Sequence, residues 1–152
     1  MLKGSCHCQA ITVSLETSCP PNELPVRLCG CTFCARHRPR YTTDPAGHVT
    51  IRAVSEQDLI RYRFGLQLAD FLLCRTCGVF VGAWEPGPLS ALGSSEGPAL
   101  LGRAVLNLVV LDRASELVAE ATQFTAYDSE DVTTRNARRA RAWTPATLLV
   151  QG

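Results

Sequence analysis

The sequence predicts a single, mainly β domain with short helical turns. Three observations lead there. Apolar and polar residues alternate in several short runs, as they do when one face of a strand is buried. Proline- and glycine-rich stretches punctuate those runs. The length of 152 residues fits one domain, and its 46% hydrophobic and 19% charged residues are ordinary for a globular core.

The elements follow in order. Ala10-Ile11-Thr12-Val13-Ser14-Leu15-Glu16 alternates and reads as a half-buried strand. Thr17 to Pro25 is a loop, broken by Pro20, Pro21, Asn22 and Pro25. Val26 to Cys29 is extended, and residues 35–47 are polar and turn-rich. Val49 to Val54 reads as a strand, and Leu59 to Phe64 alternates again before a turn at Gly65. Phe71-Leu72-Leu73 leads into Cys74, and Gly78 to Trp84 leads away from Cys77, which predicts a hairpin with the thiols at its tip. Residues 85–102 contain three Pro and four Gly and are expected to form a long loop. Ala104 to Leu111 is the most apolar run and is expected to lie centrally in a sheet. Ser115 to Ala121 predicts one or two helical turns. Asp131 to Trp143 predicts a short Arg-rich helix that ends before Pro145. The apolar Leu148-Leu149-Val150 is expected to pack on the body or on a partner. The domain, 1–152, thus divides into a core of about 3–125 and an Arg-rich C-terminal segment, 126–152.

Charge excludes some functions. The formal net charge is +1, and all basic residues but Lys3 are Arg. No broad basic field argues for nucleic acid. Arg135, Arg138, Arg139 and Arg141 recur at roughly helical spacing, which fits a solvated helix face or a contact with an acidic partner or nucleic acid. No apolar run approaches the ~20 residues that span a bilayer. Met1 to Ser5 lacks the apolar stretch of a secretory leader, so the expected location is cytoplasmic.

The chemistry resides in the thiols. Seven of eight cysteines fall in three clusters: Cys6-His7-Cys8, Cys29-Gly30-Cys31-Thr32-Phe33-Cys34 and Cys74-Arg75-Thr76-Cys77. Neighbours that close make poor structural disulfides, and in a reducing compartment such spacing favours metal. Thiolates are soft ligands that suit tetrahedral zinc. Cys6 and Cys8, two residues apart, share one face if extended, with His7 turned away. Cys74 and Cys77 flank a tight turn, and Gly78 admits positive φ there. Together the four close a structural zinc site. Cys29, Cys31 and Cys34 are left as a second set, one ligand short. An open position is the arrangement of catalytic zinc and would accept water or an incoming thiol. His37, Cys19 or His48 could instead supply a fourth ligand and close the site.

With the clusters placed, the chain resembles the glutathione-dependent formaldehyde-activating enzyme family, which includes the centromere protein V group. The matching segments are Gly4-Ser5-Cys6-His7-Cys8-Gln9-Ala10-Ile11, Cys29-Gly30-Cys31-Thr32-Phe33-Cys34-Ala35-Arg36 and Phe71-Leu72-Leu73-Cys74-Arg75-Thr76-Cys77-Gly78. The similarity covers roughly residues 3–112. Gln9 stands where the family has Gly after its first thiol pair, and Val109 stands at the position of a family Arg.

The resemblance implies a zinc-stapled β-tent of packed antiparallel sheets. It implies that Cys6, Cys8, Cys74 and Cys77 bind the structural zinc and that Cys29, Cys31 and Cys34 bind the catalytic one. The implied activity is that of a carbon–sulfur lyase, the reversible addition of glutathione to formaldehyde. The expected partners are a small thiol and a small aldehyde, with no membrane and no nucleic acid. Arg36 and Arg38, close after the triad, are candidates to pair with the carboxylates of a glutathione-like substrate. Oligomeric state stays open, with a homodimer among the alternatives. The rival reading is a non-catalytic zinc-binding interaction module.

Overall fold

The computed structural model describes residues 1–87, 92–94, 97–114, 117 and 123–152. The mainly β expectation is met. The strands are β1 (Leu2–Ser5), β2 (Ile11–Glu16), β3 (Arg27–Cys29), β4 (Tyr41–Thr42), β5 (His48–Ala53), β6 (Leu59–Tyr62), β7 (Asp70–Cys74), β8 (Phe80–Pro86), β9 (Leu92–Ser94), β10 (Gly97–Asn107), β11 (Gln123–Thr125) and β12 (Thr144–Val150). The helices are α1 (Cys34–His37), a single turn, and α2 (Val132–Ala142).

Alternation builds the main core. In β2 the buried residues are Ile11, Val13 and Leu15, and each lies opposite a buried residue of antiparallel β5, namely Ala53, Ile51 and Val49. Parallel β12 extends the same row with Ala146, Leu148 and Val150. Cross-strand contact along this row is what fixes the register, because a slip of one residue would turn every apolar side chain to water. The apolar C-terminal run therefore lies between β5 and β10, inside the sheet.

β10 is the hub. It pairs with β12 over Ala99–Ala104, with β8 at Val105 and Leu106, and with β4 at Leu106 and Asn107. Most pairings are antiparallel; β5 with β12 and β3 with β11 are parallel. The strand ends earlier than its apolar run implies. Leu108–Val110 is a 3-10 turn that buries Leu108 and Val110 and exposes Val109. Asn107 marks the change by donating from its side chain to the Phe80 carbonyl at 3.0 Å, and the Leu108 amide donates to the Arg40 carbonyl.

The loop expected over 85–102 is also corrected. Its described residues belong largely to the end of β8, to β9 and to the start of β10. Glycine suits the tight approach of these strands: a Cβ on Gly102 would sit 2.1 Å from the Glu85 carbonyl oxygen. At Gly87 and Gly102 the turn-like composition serves close approach between strands. Residues 88–91, 95 and 96 lie outside the described residues, as does most of the helical stretch expected over Ser115 to Ala121.

A bulge divides the interior in two. Between β7 and β8, Leu72 pairs with Gly82 but Leu73 pairs with Phe80, so Val81 is extra. The alternation shifts across it. Val81 and Trp84 face the main core, while Phe80 and Ala83 face a second, smaller one with Cys31, Cys34, Tyr41, Val105 and Trp143. Cys6 and Cys74 belong to the main core. The two thiol clusters thus sit in different cores on either side of β8.

Candidate metal centres

The first cluster forms where β1 ends and where the β7–β8 hairpin turns. Cys6 and Cys8 do not lie in a strand, as alternation supposed. They sit in a turn closed by Cys6 and Ile11, whose backbones bond at 2.9 Å, with Gln9 at φ 65°. That turn, rather than strand pleat, brings both sulfurs to one side and leaves His7 exposed. On the other arm, Gly78 adopts φ 75° and its amide donates to the Cys74 carbonyl, which folds Cys77 back toward Cys74.

The four sulfurs lie within 4.8 Å of one another. Cys6 and Cys8 Sγ are 3.7 Å apart, and Cys8 and Cys74 Sγ are 3.5 Å apart. Zinc–sulfur bonds of about 2.3 Å give tetrahedral edges of about 3.8 Å, so this donor set fits the ion. The Ile11 amide donates to Cys6 Sγ at 3.3 Å. Burial pushes the Cys6 thiol up to about 12 and raises Cys74. Burial also raises Cys77, but amides of Cys8 and Val79 outweigh it and bring that thiol down to about 6. Cys6 and Cys74 thus keep protons that a divalent cation would displace.

The second cluster is carried by β3 and α1. Parallel pairing with β11 delivers Cys29, and the Gly30 amide donates to the Thr125 carbonyl at 3.0 Å. Cys34 opens α1, and its amide donates to Cys31 Sγ at 3.4 Å. The turn ends at Arg38, whose φ of 50° and amide bond to the Cys34 carbonyl close it. Phe33, between the thiols, stacks on His37, Tyr62 and Phe64 and meets Phe71 and Phe80 edge-on, which holds the loop down.

The three sulfurs again lie within 4.8 Å of one another. Cys31 is pulled down to about 2 by hydrogen bonds from Cys29 and then Cys34. Cys34 is driven up by the same two neighbours. The three thiols thus perturb one another strongly, as donors close enough to share one cation do. Tyr41, buried in the second core, sets its hydroxyl 3.1 Å from Cys34 Sγ. Burial, then Cys34, holds that phenol above its usual value. Nothing in the spacing of the thiols announced Tyr41, because it reaches the site through β4.

The candidate fourth ligands are engaged elsewhere. The His37 ring stacks on Phe33 with centroids 4.3 Å apart. His48 Nε2 lies 3.0 Å from Thr147 Oγ1, and Cys19 Sγ contacts the Pro20 carbonyl. Among the described residues, three ligand atoms converge on this point.

A cavity of about 270 Å³ opens beside the triad. Cys29, Cys31, Cys34 and Tyr41 form one wall. Phe64, Leu68, Phe71 and Val105 supply apolar surface. Arg27, Arg135, Arg138 and Arg139 supply the polar side. Arg36 and Arg38 are exposed and do not line it; Arg36 donates to the Thr32 carbonyl at 2.8 Å. The helical arginines are not all a solvated face either. Residues 135, 138 and 139 share one side of α2 by their spacing of three and four, and that side meets the cavity. Arg141, off that side, is exposed.

Glu130 anchors this helix face. Arg138 reaches both its carboxylate oxygens, at 2.8 and 2.9 Å, and Arg135 donates to it at 3.3 Å. Arg138, then Arg135, holds the Glu130 carboxyl below its ordinary value. The depressed pKa fixes the sign of its pH effect. The stabilisation is full above the unfolded pKa, near 4.5, and is lost as pH falls through the lower folded value. Glu130→Gln is expected to cost about 1–3 kcal/mol at neutral pH. Melts from pH 7 downward should show the variant approaching wild type in that acid window; a constant gap at all pH would contradict the assignment.

The class these features define is a mainly β, single-domain protein with two cysteine clusters, each able to hold a zinc ion. Comparison with known protein families and with curated proteins finds no match. A solved structure of a Rhodobacter sphaeroides protein is similar, at 23% identity and a TM-score of 0.55, over 81% of this chain and 99% of that one. That likeness bears on the fold. No helix among the described residues is long and apolar enough to cross a membrane.

Proposed function

We propose that the chain is a cytoplasmic, zinc-dependent carbon–sulfur lyase or synthase, which adds glutathione or a similar thiol to formaldehyde or another small aldehyde. The observation that carries this reading is the three-thiol cluster, one ligand short among the described residues and facing a cavity. The resemblance of the cysteine segments to the glutathione-dependent formaldehyde-activating enzyme family supports the choice of reaction.

In this reading Cys29, Cys31 and Cys34 hold the ion, and Cys6, Cys8, Cys74 and Cys77 hold a second, structural one. Zinc at the triad would supply the positive charge that keeps an incoming thiol ionised near neutral pH. The chain supplies the rest. Tyr41 fixes the orientation of Cys34 by contact at 3.1 Å. Phe33 and its aromatic neighbours keep the thiol loop in place. Phe64 and Phe71 give the aldehyde a wall with little water, which raises its effective concentration against the thiol. The sulfur forms a bond to the carbonyl carbon, and the thiol proton ends on the former carbonyl oxygen. Nothing is oxidised or reduced.

Titration calorimetry of the zinc-loaded protein with glutathione, paired with NMR exchange between formaldehyde and its adduct, tests this. Binding together with exchange above the uncatalysed rate is expected. Absence of both would refute the formaldehyde reaction.

A further inference from the structure

The arginines beside the triad are not equivalent. Arg135 and Arg138 both pair with Glu130, and Arg138 also lies over the Tyr127 ring at 3.7 Å. The Arg27 guanidinium donates to Thr43 Oγ1. Arg139 differs. Only 6% of the residue is exposed, yet its one acidic contact among the described residues is long, 3.4 Å to Glu85 Oε1. Among the described residues its buried Nε has no hydrogen-bond partner, nor has Glu85 Oε2. Its guanidinium lies over the Trp143 ring at 4.4 Å, which fixes the plane of the fork. Both residues line the cavity. A buried guanidinium with an unmet donor is costly unless something arrives to meet it.

The geometry points to a carboxylate-binding subsite at Arg139: the small molecule whose thiol meets the triad carries a carboxylate that docks on this guanidinium. The planar fork matches a carboxylate. Size sets the scale. At about 270 Å³ the cavity is below the range of roughly 300–1,000 Å³ usual for drug-sized ligands, so the ligand is compact. The apolar wall then covers its carbon chain. The arginine comes from α2, beyond the segments that carry the thiols, and it would select among thiols that the triad alone treats alike.

The ligand's orientation rests on the proposed thiol-binding role of the triad; the subsite itself does not. The zinc-loaded full chain would be titrated with 3-mercaptopropionate and with 2-mercaptoethanol, which lacks the carboxylate. The acid is expected to bind about tenfold tighter or more. Arg139→Gln should erase that preference and leave 2-mercaptoethanol unaffected. Arg139→Lys keeps the charge without the fork and should retain part of the preference, which covers the case where the glutamine variant fails to fold. Equal binding of both thiols by wild type would overturn the subsite. Propionate against propionamide separates the two ideas. If neither thiol binds but propionate does, in an Arg139-dependent way, the triad reading fails and the subsite stands. If propionate also fails to bind, the subsite falls.

Discussion

Cys74→Ser is expected to cost the domain about 5 kcal/mol or more and to remove one zinc per chain. Cys74 is fully buried in the main core and joins the β7–β8 hairpin to the turn after β1. Cys8 and Cys74 are 66 residues apart in sequence, so an ion held between them would close a long loop. Binding free energy at a structural zinc is folding free energy, and a domain of this size has only about 5–15 kcal/mol in total. Serine is a poor zinc ligand and leaves a polar hydroxyl in an apolar place. Metal content and thermal melts read the result. The neighbouring His7→Ala is expected to change neither, because His7 is exposed and its side chain lies outside the sulfur cluster. A Cys74→Ser protein that keeps both zinc ions and melts as wild type would show that the first cluster is not a staple.

Cys31→Ser should do the reverse. It is expected to abolish binding of the second metal and of thiol, with a much smaller shift in the melt. Cys31 is buried at the middle of the triad's sequence, and the Cys34 amide donates to its sulfur at 3.4 Å. Loss of an outer-shell partner alone typically costs 10–100-fold in metal affinity or activity, and loss of a ligand should cost more. The fold should survive, because the triad sits in the smaller core on the far side of β8 and the β2–β5–β12 row is untouched. A graded chelator should also strip the three-thiol site before the four-thiol site. Equal losses of stability in the two variants would remove the distinction between a structural and a working centre.

How much of this was legible in the sequence differs by element. The strands β2 and β5, the β7–β8 hairpin and α2 follow from alternation and from capping: Asp131 accepts from the Thr134 amide at 2.7 Å, and Pro145 follows the helix end. The grouping of seven cysteines into a four and a three was legible because spacing alone limits which thiols can share an ion. Other features depended on contacts that a single chain pattern does not encode. The bulge at Val81 lies inside a uniformly apolar run, so period-two reading could not see the phase change. Gly87 and Gly102 looked like loop residues because glycine used for close strand approach has the same composition as a turn. Tyr41 and the α2 arginines reach the cavity from 7 to more than 100 residues away from Cys34, by way of tertiary packing. The spacing of Arg135, Arg138 and Arg139 did hold a signal, since it puts three guanidiniums on one side of one helix.

The central claim is that the triad leaves one position for an incoming thiol. Zinc-edge X-ray absorption on the metal-loaded chain, with and without added thiol, tests it most directly. Two zinc ions per chain are expected. One should show four sulfur neighbours under both conditions, and the other should gain a sulfur when thiol is added, so that average sulfur coordination rises. A spectrum unchanged by thiol, with four protein ligands at both ions, would contradict the account.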